Sequence, residues 1–225
     1  MISSTSDEED MAEFVFLSEK GLRENNEDFY GNYKDEFFVV ADGLGGHAAG
    51  EVASKVAVEA ALSVYKTSKE QDKSKLLEEI FKRANGGIID SVNRNPNYSG
   101  MGTTLVCAIV QSNEVIFANV GDSSGYIYSN GQLMPITKAD RDIMGFLTNA
   151  LGIQGEVRPQ VVKVNLKRGD LILLCTDGLT DFVKAGVIEK ILESQIDLKK
   201  KAKGLIEVAL QFGSTDNITV GLITI

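Results

Sequence analysis

Residues 37–57 read FFVVADGLGGHAAGEVASKVA. Five apolar residues run into Asp42-Gly43, a glycine-rich turn follows, and an alanine-rich segment comes after it. The apolar run predicts a buried strand and the glycines a tight loop. Val52, Val56, Ala60 and Val64 recur at four-residue spacing, which predicts a helix over 49–66 with one apolar stripe. A carboxylate, Asp42, is thereby delivered to the end of a buried strand. Burying a charge without a partner is costly, so Asp42 needs counter-charge. A metal cation is the obvious candidate.

Outward from this stretch, strands are expected over 12–17, 29–33, 103–110, 114–120, 126–129, 161–165, 170–175 and 217–225. Helices are expected over 75–92, 183–194 and 198–212. In the first of these Leu76, Ile80, Ala84 and Ile88 share a face, while Gly86-Gly87 weaken the centre. Ser112-Asn113 and Asn130-Gly131 mark turns, and strands joined by such short turns must be antiparallel. Residues 133–158 show no clean period. Residues 1–11 read as a flexible N-terminal segment and 12–225 as a single domain. The fold class is α+β, a layered sandwich with helices outside mainly antiparallel sheet rather than a doubly wound parallel sheet.

The 225-residue chain is 43% hydrophobic and carries a formal charge of −9, which argues against a non-specific nucleic-acid binder. Its two cysteines, Cys107 and Cys175, lie in apolar runs and read as buried free thiols. The first ten residues are polar and acidic, unlike a signal peptide, and no apolar run reaches the roughly 18 residues of a membrane span. A cytoplasmic chain with no membrane partner is expected.

Other acids repeat the placement of Asp42. Asp122 follows VIFANVG, Asp177 follows LILLCT, Asp216 directly precedes the last strand, and Glu27-Asp28 precede Phe29-Tyr30. Singly, each is also what a turn or helix cap would use, and Asp140 and Asp181 are read that way. Together they offer hard oxygen ligands for magnesium or manganese. In Asp42-Gly43 and Asp177-Gly178 the glycine also lets a backbone carbonyl come close enough to serve.

Seven pieces then stand in order: Gly21-Leu22-Arg23-Glu24-Asn25-Asn26-Glu27-Asp28; Val40-Ala41-Asp42-Gly43-Leu44-Gly45-Gly46-His47 with Gly50-Glu51; Met101-Gly102-Thr103-Thr104; Ala118-Asn119-Val120-Gly121-Asp122-Ser123; Asn149-Ala150-Leu151-Gly152; Cys175-Thr176-Asp177-Gly178-Leu179; and Asp216-Asn217-Ile218-Thr219-Val220. In this order and spacing the chain resembles the PP2C (PPM) family of metal-dependent serine/threonine phosphatases, bacterial type, from about Phe14 to Ile225. The resemblance implies a four-layer α/β/β/α sandwich. It implies hydrolysis of phosphoserine and phosphothreonine by a hydroxide shared between two Mn2+ or Mg2+ ions. Asp42 would bridge the ions with the Gly43 carbonyl beside it, and Asp177 and Asp216 would complete the first ion's shell. Glu27 and Asp28 would act directly or through water. Asp122 would join Asp177 on a third, weaker ion. Arg23 would clamp the substrate phosphate, with Asn217 and Thr104 as structural neighbours. The implied partner is a phosphorylated protein, such as the product of a bacterial serine/threonine kinase.

The chain departs from that family in three places. Ser124 replaces an arginine after Gly-Asp-Ser. Only residues 138–148 stand where relatives carry a longer flap, and Ala139-Asp140-Arg141 is a degenerate form of the expected Asp-His-Ser. His47 is the sole histidine, and it reads as a helix-start or supporting residue rather than a proton donor. Two rivals can be weighed. The spacing of Gly43, Gly45 and Ala48 loosely fits a dinucleotide fingerprint, but Asp42 would repel a pyrophosphate and no series of βαβ units follows. A catalytically weak or inactive phosphoprotein-binding regulatory domain would be marked by loss of a core ligand, and none of Asp42, Asp177, Asp216, Glu27, Asp28 or Arg23 is missing.

Overall fold

The computed structural model describes residues 13–45, 49–111, 113–153 and 155–225. The elements run β1 (Phe14–Glu19), β2 (Asp28–Tyr33), β3 (Phe37–Leu44), α1 (Ala49–Thr67), α2 (Lys73–Arg94), a short 3-10 turn (Pro96–Tyr98), β4 (Gly102–Thr103), β5 (Leu105–Gln111), β6 (Glu114–Val120), β7 (Ser124–Ser129), β8 (Gln132–Pro135), β9 (Gln160–Asn165), β10 (Leu171–Cys175), α3 (Asp177–Thr180), α4 (Ala185–Glu193), α5 (Leu198–Gln211) and β11 (Ile218–Thr224). Two sheets result. One is ordered β1-β11-β10-β7-β8, the other β2-β3-β5-β6-β9 with β4 added beside β3. All their strand pairs are antiparallel.

The unbroken apolar runs follow from burial on both faces. Along β3, Phe37, Val39 and Ala41 point to a core under α1 and α2, while Phe38 and Val40 point to a core between the sheets. Strand β6 does the same with Ile116, Ala118 and Val120 against Val115 and Phe117. In β10, Ile172 and Leu174 enter the inter-sheet core, and Leu171, Leu173 and Cys175 face α3, α4 and α5. Period-two alternation thus sorts side chains between two apolar layers, giving the four-layer α/β/β/α order.

The differences from the sequence reading have local causes. Helix α2 runs through Gly86-Gly87 as expected, and extends to Lys73–Arg94 rather than 75–92, because its buried face, including Leu77, Ile80, Phe81, Ala84 and Ile88, outweighs the propensity cost. Its start is capped by Asp72, which accepts from the Ser74 amide at 2.9 Å. The strand expected over 103–110 is broken at Thr104, whose backbone turns to serve Asp42. Strand β8 lay within a region read as irregular. Asn130 (φ +52°) and Gly131 (φ +80°) make the tight hairpin that leads into it. The one-turn helix α3 was also unforeseen. The first strand lies at Phe14–Glu19 rather than 12–17. Residues 1–12 and Ser112 of the expected Ser112-Asn113 turn lie outside the described residues.

Phe38 is fully buried between the sheets, edge-on to Phe14 and stacked on Phe16. Phe38→Ala is expected to lower unfolding free energy by about 3–5 kcal/mol in urea titration. A loss below about 1 kcal/mol would contradict this packing of the layers.

Candidate metal centre

The acids gather where the ends of the two sheets meet. Asp28 opens β2 and stands directly across from Asp42 on β3. Asp177 follows β10 at the start of α3, Asp216 precedes β11, and Asp122 follows β6. A cleft of about 480 Å³ is lined by Arg23, Glu27, Asp42, Gly43, Asp122, Asp177 and Asp216, among others. Asp28 is buried. His47 lies outside the described residues.

Backbone hydrogen bonds fix these positions. The Asp42 amide donates to Thr104 Oγ1 at 2.9 Å, the Thr104 amide donates to the Asp42 carbonyl at 2.9 Å, and Thr103 Oγ1 donates to the same carbonyl at 2.7 Å. Asp28 Oδ2 accepts from Thr219 Oγ1 at 2.6 Å and Thr176 Oγ1 at 3.0 Å, so a threonine of the other sheet and one just past its strand β10 hold it. Asn217 pins the loop that carries Arg23 and Glu27. Its Oδ1 accepts from the Glu27 amide at 2.8 Å, and its Nδ2 donates to the carbonyls of Lys20 and Asn25 at 2.8 and 2.9 Å. Gly43 donates to the Glu27 carbonyl at 3.1 Å. A Cβ at Gly43 would collide with the backbone of Gly50 and reach 2.7 Å from the Glu27 carbonyl oxygen, so only glycine permits the approach.

Burial and like charge raise the proton affinities. Burial, then the charges of Asp28 and Asp177, holds Asp42 well above the usual carboxylate range. Burial pushes Asp28 up to about 7, against the opposing pull of the two threonine hydroxyls. Asp177 rises to about 6 through burial and then the charges of Asp122 and Asp181. Glu27 is raised too, chiefly by burial.

Among the described residues two arginines bring positive charge to these acids. Arg23 places Nε and Nη2 on the two oxygens of Asp216 at 3.0 and 2.8 Å. Arg141 reaches Asp122 Oδ2 from Nε at 2.8 Å, Asp177 Oδ2 from Nη2 at 2.5 Å, and both oxygens of Asp181 from Nη1 at 2.8 and 2.9 Å. Among the described residues no three acidic, histidine or cysteine side chains are posed as a closed metal cage. The donor set nevertheless fits hard divalent ions. All its ligands are oxygens, and buried Asp28 Oδ1 has no hydrogen-bond partner among the described residues.

Sequence reasoning missed Arg141, and it left Asp181 in the turn-or-cap class. Asp140 does act as a brace. Its Oδ2 accepts from the Gly121 amide and from Asn149 Nδ2, both at 3.0 Å. Asp181 instead receives the Arg141 fork. The available signal was a basic residue in the shortened loop, at the third position of the degenerate Ala139-Asp140-Arg141.

An acid whose folded pKa is raised favours the fold below its unfolded value near 4, and that contribution fades as pH rises through about 6 for Asp177 and about 7 for Asp28. Metal-stripped protein should therefore melt at progressively lower temperature between about pH 5 and about pH 8. Asp28→Asn should flatten the trend, and Mn2+ should restore the high-pH midpoint. A midpoint insensitive to pH in the stripped wild type would contradict the electrostatic picture.

Known proteins resemble this chain over most of its length. The sequence model of the family described as Protein phosphatase 2C matches residues 23–208. The serine/threonine phosphatase stp of Listeria innocua is 34% identical over 236 residues, covering 92% of this chain and 94% of that protein. The crystal structure of the Mycobacterium tuberculosis serine/threonine phosphatase PstP/Ppp superposes with a TM-score of 0.89 at 32% identity, covering 95% of this chain and 98% of that one. The catalytic domain of PstP in complex with two manganese ions gives a TM-score of 0.87 at 32% identity, covering 95% and 97%. The chain belongs to the bacterial PP2C (PPM) family of metal-dependent serine/threonine phosphatases.

Proposed function

We propose that the cleft binds two Mn2+ or Mg2+ ions on Asp42, Asp177, Asp216 and the Gly43 carbonyl, with Glu27 and Asp28 acting directly or through water. On this reading the chain hydrolyses phosphoserine and phosphothreonine in proteins without a covalent intermediate. The carrying observation is the convergence of Asp28, Asp42, Asp177 and Asp216 from two sheets, with proton affinities raised at Asp28, Asp42 and Asp177 and an Asp28 oxygen that has no hydrogen-bond partner among the described residues. The PstP catalytic domain that this chain resembles was solved with two manganese ions, which supports the stoichiometry.

The chemistry two such ions supply when bound is an acidified water and neutralisation of phosphate charge. The protein's share is positional. Thr103 and Thr104 hold Asp42 by its backbone, so its carboxylate keeps one place in the cleft. Arg23 sits at the cleft with its side chain 59% exposed, and the planar fork now on Asp216 suits two phosphate oxygens equally well. Both cysteines are fully buried, and burial pushes their thiols up, so neither offers a thiolate nucleophile. Substrates on this reading are the products of serine/threonine kinases, whose added phosphoryl group is here transferred to water and released as phosphate. Among the described residues no helix is long and apolar enough to cross a membrane.

Phosphate release from a phosphothreonine peptide should vanish on metal stripping and return with Mn2+. Asp42→Asn and Asp177→Asn should each lose at least about 100-fold in turnover. Arg23→Ala should act mainly on KM, raising it by about tenfold. Turnover that survives metal removal, or that is unchanged in Asp42→Asn, would overturn the reading.

A further inference from the structure

We infer that Arg141 is a cation built into the protein, occupying the place between Asp122 and Asp177 where the family resemblance puts a third metal ion, so that this chain works with two ions alone. The inference rests on the metal-centre reading above.

The guanidinium uses all three of its nitrogens. The edge formed by Nε and Nη2 does not grip one carboxylate, as the same edge of Arg23 does on Asp216. It spans two, taking Asp122 Oδ2 at 2.8 Å and Asp177 Oδ2 at 2.5 Å, while Nη1 takes Asp181. Arg141 thus takes one oxygen from each of the two carboxylates that a shared divalent ion would have to bind. An ion bound there would need the space that these N–H groups already take. It would have to displace the fork and then lie beside its positive charge.

The backbone holds Arg141 in position. Asp142 Oδ1 accepts from the amides of Met144 and Phe146 at 2.8 and 3.0 Å, closing a tight turn. Arg141 pairs with Leu147 across that turn. On its other side, the Asp140 amide donates to the Gly121 carbonyl at 2.9 Å, which ties the loop to the backbone just before Asp122. The Arg141 side chain is 24% exposed, and that of Asp122 10%. The shortened loop is therefore a braced arm that delivers charge, and its truncation and Arg141 form one device. A charge held this way is always present, whereas a weakly bound ion comes and goes with metal concentration.

The test is anomalous scattering from crystals loaded with excess Mn2+, for the wild type, Arg141→Ala and Arg141→Gln. The wild type should show two ions beside Asp42 and none on Asp122 and Asp177, with Arg141 in place. Either variant should gain a third ion on that pair. In solution, the half-saturating Mn2+ for turnover should rise by at least about tenfold in the variants, with partial recovery in Arg141→Lys. A third ion in the wild type overturns the inference alone, even if no variant folds. Variants that keep two ions and the wild-type Mn2+ dependence also overturn it. Absence of ions beside Asp42 would fail the metal-centre reading itself, and this inference with it.

Discussion

Two carboxylates, Asp28 and Asp42, face each other on adjacent strands at the edge of an apolar core, and much of the molecule is arranged around holding them there. Neither would stay charged in such a place without help. Asp28 is held by Thr219 of the opposite sheet and by Thr176 just past β10, so the separation of the sheets sets how far Asp28 and Asp42 stand from Asp177 and Asp216. That separation is set in turn by the inter-sheet core of Phe38, Val40, Val106, Phe117, Ile172 and Leu174. The sandwich is thus the ruler of the site.

Connecting segments complete what the strands begin. Asn217 ties the loop bearing Arg23 and Glu27 to the start of the last strand. Glycine permits the close backbone contact between the turn after Asp42 and the first turn of α1. The arginines counter the acids in different ways. Arg23 is an exposed fork on one carboxylate. Arg141 is braced by its own turn and bridges three carboxylates. The centre therefore combines crowded acids with positive charge that the chain provides for itself.

Much of this was legible in the order of residues because burial on both faces writes itself as uninterrupted apolar runs. Phe37 to Ala41, Leu171 to Cys175 and the strand after Glu114 were readable for that reason, and the acids at their ends were readable with them. Strand order was not, since pairing β11 between β1 and β10 depends on contacts far apart in the chain. Strand β8 was hidden because it has four residues and only Leu133 is buried. Arg141 was hidden for a different reason. A charge in an aperiodic loop looks solvent-facing until the fold shows that the loop returns across Asp122 and Asp177. Asp181 passed for a turn residue on the same grounds.

The most direct test of the centre is calorimetry of Mn2+ binding to the stripped chain in buffers of differing ionisation enthalpy. If Asp28, Asp42 and Asp177 hold protons because they repel one another in a buried site, Mn2+ must expel those protons. Net proton release is expected at about pH 6, falling as pH rises past about 7 towards 8, with apparent affinity rising over the same interval. Binding that releases no protons and has the same affinity throughout this range would contradict the coupling between the crowded acids and the cations they are arranged to hold.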